Sequence, residues 1–384
     1  MLTCDTVPAS SLTARDVALW RSMQAVTPAF ASPLLSPDFV QAIAAVRADV
    51  RVAVFKKNGR TVGFLPMHVR PGRFARPAGA PFSDYSALIT FPEPHIRIGE
   101  ALRTANIQRY QAIGLIDPYG VFADCPGGEA DEAHGIDLSS GVANNANKKL
   151  QKNIRRITRH LEEAHGEVRI VAGDRTSATF DAMIDWKRRQ TRETGLHDFV
   201  SAPWVQKMLR RLFDADTSGL HGFMVTLMAG GTPVLAHFGV RLGDRAHPWI
   251  SSYDPAFSSF SPGQIFLNGL HEPLEGAGVG YYDLSTGQQA YKTIFSNTSF
   301  VVRHARAYSD APDARLSAGM ARVGADIRRV LGPKVDGALA RLDRRLDQIA
   351  TLELDTISRA RGVAYAFSNA SKRMKVSESG QNHG

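Results

Sequence analysis

The sequence predicts an α/β (α+β) fold: two tandem domains with mixed central sheets, followed by a C-terminal helical tail. Three observations carry this. Short apolar runs of strand character alternate with amphipathic helical stretches over about 1–310. A strongly basic helix near residue 147 separates two such series. Beyond about 312 only helical patterns remain, and these are rich in arginine. The 384 residues are enough for two cores, and 43% hydrophobic with 22% charged content is that of a globular chain. The divisions fall at 1–145, 146–310, 311–367 and a final 368–384 whose composition reads as disordered.

In the first segment, Ser36-Pro37 opens a short helix with Phe39, Ile43 and Val46 on one face. Two apolar runs flank Asn58-Gly59, the strongest hairpin signal in the chain. A Gly/Pro-rich loop then carries Asp84-Tyr85, and Leu102–Ala112 and Ile113–Ile116 read as a helix and a strand. From Asn147 to His165, Leu150, Ile154, Ile157 and Leu161 form a buried stripe. Lys148, Lys149, Lys152, Arg155, Arg156 and Arg159 occupy the other face, and Gly166 ends the helix.

The second segment starts with a strand at Val168–Val171 and a helix over Ser177–Thr194, closed by Gly195. Pro203 opens another helix. Two strands joined at Gly230-Gly231 follow, then the strand PWISSY from Pro248. A loop with Ser261-Pro262-Gly263 leads into a helix, a strand with Tyr282-Asp283, a short helix with Tyr291-Lys292, and a last strand FVVRHARAY. A strand passing through small residues into a helix presents free N–H groups and the positive end of the helix dipole, which suits an anion. The alternative reading of Ser261-Pro262 is an ordinary helix cap.

The formal charge of +9 favours an anionic partner: nucleic acid, an acidic membrane face, a phosphorylated cofactor or a sugar nucleotide. The two cysteines, Cys4 and Cys125, fit a reducing compartment and have no metal-ligand spacing, so no metal is expected. No secretory signal stands at the N-terminus, and no apolar run approaches the ~20 residues that cross a bilayer. The expected location is cytoplasmic, with peripheral attachment to the inner face of the membrane as an extension of that reading.

The element order of the second segment is that of the GNAT acyltransferase fold. Lys187, Gln190 and Gly195, then Tyr253-Asp254-Pro255, Ser261-Pro262-Gly263, Tyr282-Asp283 and Tyr291-Lys292, resemble the CelD/BcsL-type acetyltransferases of cellulose and exopolysaccharide biosynthesis. These sit with FemABX-like proteins of tandem GNAT-like architecture, and the resemblance covers roughly residues 30–300. It implies transfer of an acyl group from acetyl-CoA, or another acyl-CoA, to an amino sugar of an exopolysaccharide or envelope polysaccharide or its precursor. Two alternatives stay open. One is a FemX-like transferase using aminoacyl-tRNA on a cell-wall precursor, the only reading that brings in a nucleic acid. The other is an inactive GNAT-fold binding or regulatory protein, since Ser258–Gln264 has a single glycine where the family's phosphate loop usually has two small residues.

Within that frame Ser261, Pro262, Gly263 and Gln264 are expected to cradle the donor pyrophosphate, with Lys292 pairing with a phosphate or with Asp283. Asp283 is the candidate general base, because amine attack on a thioester needs a neutral amine; its bland reading is a cap of the following turn. Tyr291 is the candidate donor to the departing thiolate, otherwise a core tyrosine. His237 is a further candidate base, otherwise a satisfied core histidine. Asp84, Tyr85, Trp186, Lys187, Gln190 and Tyr253 are the expected acceptor-binding set. In the tail, Arg341, Arg344, Arg345 and Gln348 recur about a helical turn apart. They suit an anionic lipid or a cyclic-dinucleotide regulator, or form a solvated basic face.

Overall fold

A computed structural model describes residues 1–314 other than 94, 95, 126, 127, 142–144, 196 and 288, together with 319, 351, 352 and 354. The first half holds β1 (Leu2–Pro8), α1 (Ala14–Ala25), α2 (Pro37–Ala44), β2 (Val50–Lys57), β3 (Arg60–Arg70) and β4 (Phe74–Pro77). It continues with β5 (Ile89–Thr90), α3 (Ile98–Thr104), β6 (Arg109–Leu115) and β7 (Ala130–Asp137). The Ser36 hydroxyl accepts from Phe39 N at 3.0 Å and caps α2. Asn58 and Gly59, at φ 51° and 74°, turn β2 into β3. The helix expected over Leu102–Ala112 ends at Thr104 instead, and the strand begins at Arg109. Asn106 at φ 55° breaks the helix, and Tyr110 and Ala112 then bury with strand periodicity.

The basic helix α4 (Lys148–His165) forms with Ile154, Ile157 and Leu161 buried. Its six lysines and arginines from Lys148 to Arg159 are exposed. The second half holds β8 (Val168–Ala172), α5 (Ser177–Glu193), α6 (Pro203–Asp214), β9 (His221–Ala229), β10 (Thr232–Leu242) and β11 (Arg245–Tyr253). Then come α7 (Pro262–Asn268), α8 (His271–Gly276), β12 (Tyr281–Thr286), α9 (Ala290–Phe295) and β13 (Thr298–Tyr308). The single helix expected after Gly263 is thus two short ones. Gly269 separates them, and a Cβ there would lie 2.8 Å from Ile170 Cδ1 on β8. Among the described residues no helix is long and apolar enough to cross a membrane. The tail positions named above, Arg341, Arg344, Arg345 and Gln348, lie outside the described residues. Thr351 and Leu352 are described and buried.

The strands join in one sheet in the order β1-β2-β3-β4-β6-β13-β7-β12-β11-β10-β9-β8, with β5 on β3. The two halves repeat one plan. In each, four antiparallel strands lead to a parallel neighbour: β4 beside β6, and β11 beside β12. Each parallel pair is only two residues long, Phe74/Ala75 with Arg109/Tyr110 and Arg245/Ala246 with Tyr281/Tyr282. Beyond those residues the strands part and leave a wedge. The last strands are exchanged: β13 pairs with β6, and β7 pairs with β12 and β13, so the sheet passes unbroken from one half to the other.

The first wedge is filled. Ser86 bridges Leu115 in parallel, accepting from Ile116 N at 2.8 Å and donating to Gly114 O at 3.1 Å. The other edge of β6 is taken by β13, so residues 84–88 run along the edge facing β4. Gly114 is required there: its φ is 52°, and a Cβ would sit 1.8 Å from Asp84 O. The second wedge is open, and residues 81–85 of the first half reach into it.

Candidate functional site

Between β11 and β12 lies a cavity of about 360 Å³. Pro248, Trp249, Ile250 and Ser251 form one side, and Leu284 and Ser285 the other. His237 contributes from β10, Tyr291 and Lys292 from α9, and Phe82 and Asp84 from the first half. The Phe82 ring stacks edge-on against Trp249 (5.3 Å between centroids) and Phe199 (5.7 Å), giving the cavity an aromatic wall.

A buried ion network borders the cavity. His247, on β11, is fully buried and sits between two carboxylates. Its Nε2 is 2.8 Å from Asp84 Oδ2; its Nδ1 is 3.4 Å from Asp283 Oδ2, at ion-pair distance but without hydrogen-bond alignment. The Ser285 hydroxyl donates to Asp84 Oδ2 at 2.7 Å, and Ser285 N donates to Asp283 Oδ1 at 2.6 Å. The latter bond comes from a residue at φ 61° that turns the chain back on its own carboxylate. The Tyr85 hydroxyl donates to Asp283 Oδ1 at 2.8 Å.

These contacts set the charges. Burial alone would drive the proton from His247, but Asp283 and Asp84 push its pKa up to about 10, so it is an imidazolium. Burial would raise Asp84, yet the hydrogen bond and charge of His247 hold it below the usual carboxylate range. Burial and the Asp283 charge push the Tyr85 phenol far up, which keeps it a donor. Lys292 is buried, and its ammonium donates to Thr286 O. Burial lowers its pKa while Asp84 and Asp283 oppose that. Burial, helped by Lys187, pushes His237 down to about 3, so its ring is neutral; its Nδ1 is 3.1 Å from the Tyr282 hydroxyl.

Of the residues singled out in the sequence, Asp84, His237, Tyr291 and Lys292 line the cavity. Asp283 and Tyr85 stand one step behind it: the Asp283 side chain is 5% exposed and reaches the cavity only through His247, Asp84 and Ser285. Lys187 packs beside β11, donating to Gln190 Oε1 at 3.0 Å and Ser251 O at 3.4 Å. Trp186 is buried in the core rather than in a groove, and Tyr253 is 39% exposed at the end of β11. None of Trp186, Lys187, Gln190 and Tyr253 lines the cavity.

Ser261–Gln264 does not line it either; α7 touches only a lining residue, with the Phe266 ring centroid 4.3 Å from that of His237. Ser261 stands at the N-cap of α7 with Pro262 in the first turn, as in an ordinary cap, but it is left-handed at φ 48° and its side chain makes no capping hydrogen bond. Gly263 faces open space, and the buried Gln264 Oε1 has no hydrogen-bond partner. Sequence reasoning missed His247 and Ser285. The one available signal was a polar residue immediately before the apolar strand PWISSY.

Residues 148–293 match the family model described as the acetyltransferase (GNAT) domain. GNAT domains use acyl-CoA. No curated protein matches it. Among solved structures it is similar to FemX, at 8% identity over 81% of this chain and 99% of that one, with a TM-score of 0.49. A conserved protein of unknown function from Bacteroides thetaiotaomicron is 11% identical over 80% and 98%, with a TM-score of 0.47. A tandem GNAT protein from the clavulanic acid biosynthesis pathway is 13% identical over 81% and 99%, at 0.43.

Proposed function

We propose that the chain transfers an acetyl group from acetyl-CoA to the amine of an amino sugar, in an exopolysaccharide or envelope polysaccharide or its precursor, as in the CelD/BcsL-type enzymes that its motifs resemble. The observation that carries the reading is the open wedge of the second half. There a carboxylate, a buried ammonium and a neutral imidazole face one aromatic-walled cavity. The family match to an acetyltransferase domain supports it.

The donor supplies a thioester carbonyl. The acceptor nitrogen forms a bond to that carbon, the C–S bond breaks, and the amine proton must leave. Asp84, ionised by its pairing with His247, accepts a hydrogen bond from the acceptor's neutral amine and orients it; the same pairing makes it a weak base. Once the C–N bond forms the nitrogen's proton becomes strongly acidic; the neutral His237 relays it, and the Tyr291 hydroxyl protonates the departing thiolate and regains a proton from that relay. Lys292 supplies positive charge for the oxyanion that develops on the carbonyl. Asp283 serves by fixing His247 and Ser285 rather than by touching the acceptor. Phe82 and Trp249 offer faces for the apolar side of a sugar ring. Ser261–Gln264 is the proposed pyrophosphate cradle. Open space at Gly263 fits a ligand there.

The test is calorimetry with acetyl-CoA on the wild type and on Gly263→Trp, followed by acetyl transfer to glucosamine-type acceptors. Binding by the wild type, loss in the variant and turnover support the reading. Absence of binding by the wild type removes it, and transfer from an aminoacyl-tRNA would then favour the FemX-like alternative.

A further inference from the structure

At the far end of the Asp84–His247–Asp283 chain lies a second cavity, of about 400 Å³. Asp283 closes it on one side, and Pro28–Pro33, Ile116 and Phe300 give it apolar walls. Two arginines line it, Arg245 from β11 and Arg303 from β13. Neither guanidinium makes a hydrogen bond or ion pair with a described residue. Arg245 lies over the Tyr281 ring at 4.9 Å, which fixes its plane and leaves its donors unused.

The acidic groups nearby are committed elsewhere. The Asp117 carboxylate accepts from Val121 N and Phe122 N, each at 2.9 Å. Glu132 takes the Ser299 hydroxyl at 2.6 Å. Asp283 is paired with His247, which it shares with Asp84, and accepts from the Tyr85 hydroxyl and Ser285 N. Asp137 feels the charge of Arg245 but is held by its own turn at Ser139. The pocket therefore presents two positive forks, and its two lining carboxylates, Asp117 and Asp283, are already bonded to other donors.

Forked guanidinium groups bind oxyanions through paired N–H donors. We propose that this pocket is a second ligand site, distinct from the acyl-transfer cavity, which holds a small molecule by a phosphate or carboxylate group between Arg245 and Arg303. Its volume is in the range of small-molecule sites, and the rest of the ligand rests on Pro33 and Phe300. The site does not depend on the identity of the acyl donor or acceptor.

Line broadening of inorganic phosphate (³¹P) and, separately, of acetate (¹³C) on the full chain tests this. Saturable binding of either anion is expected, and the stronger of the two tells which group the site takes. Arg245→Gln with Arg303→Gln weakens it by about tenfold or more, the usual effect of removing a charge-assisted bond. Val301→Trp fills the pocket from a position that is 68% exposed, so it blocks binding without risk to the core. Lys292→Gln, in the other cavity, leaves binding unchanged. The proposal is overturned if neither anion saturates, if both pocket variants bind as the wild type does, or if only Lys292→Gln loses binding.

Discussion

The two wedges of this sheet share one topology and have opposite contents. Between β4 and β6 the gap is occupied by the chain's own residues 84–88, bonded along β6. Between β11 and β12 it is empty space bordered by charge. The segment that closes the first wedge also delivers Asp84 and Tyr85 to the edge of the second. In one copy of the plan the wedge is filled by a segment that supplies acidic and aromatic groups; in the other the space is open. The acetyltransferase family match covers 148–293, the half with the open wedge.

If that division is right, the largest effects come from breaking the charge network that joins the halves. Asp283→Asn leaves the His247 imidazolium short of a partner in the interior, and it should cost about 3–5 kcal/mol. Urea unfolding would show it, and a loss of under 1 kcal/mol would mean that the network is not holding the halves together. The pH dependence follows from the same groups. His247, raised to about 10, contributes stability that is complete below its ordinary value and lost as pH rises through about 10. Asp84, lowered, contributes stability that is complete above its ordinary value and lost as pH falls through its folded one. Melting temperature against pH should therefore fall at both alkaline and acid extremes, and Asp283→Asn should flatten the alkaline limb.

Next in size is Lys292→Gln, which tests the open wedge alone. Acetyl transfer should drop by about 10²–10³-fold, the range for loss of one oxyanion donor, with little change in acceptor affinity. Gly114→Ala tests the filled wedge. A side chain at φ 52° against Asp84 O should cost about 1–3 kcal/mol and weaken acceptor binding by moving Asp84. Unchanged acceptor affinity would detach the first half from the site. The smallest effect is Tyr85→Phe, about 1–2 kcal/mol for an unsatisfied buried carboxylate oxygen that Ser285 N still partly serves.

Local signals in the sequence were reliable where local physics decided the outcome. The Asn58-Gly59 hairpin, the Ser36 cap and the basic helix all form where spacing put them. Asp84, Lys292 and Asp283 were recognised by pattern, and they do converge. Their mutual roles were not legible, because burial separates a pocket-facing Asp84 from an enclosed Asp283. His247 was missed since its partner Asp84 is 163 positions away, and Ser285 since its bond to Asp84 spans 201. The exchange of β7 and β13 is also invisible to periodicity, which reports faces and not neighbours. Trp186 read as a groove residue, yet the helical stripe it shares with Met183 takes it into the core.

The most direct test is to fill each wedge in turn and titrate with acetyl-CoA. Ser251→Trp places an indole from an exposed position of β11 into the open cavity and leaves the ion network intact. Gly114→Ala disturbs the closed wedge and reaches the open one only through Asp84 on its acceptor side. The expected result is a single acetyl-CoA site in the wild type and in Gly114→Ala, weakened at least about tenfold in Ser251→Trp. Equal affinity in all three proteins would contradict the assignment of the chemistry to the wedge between β11 and β12.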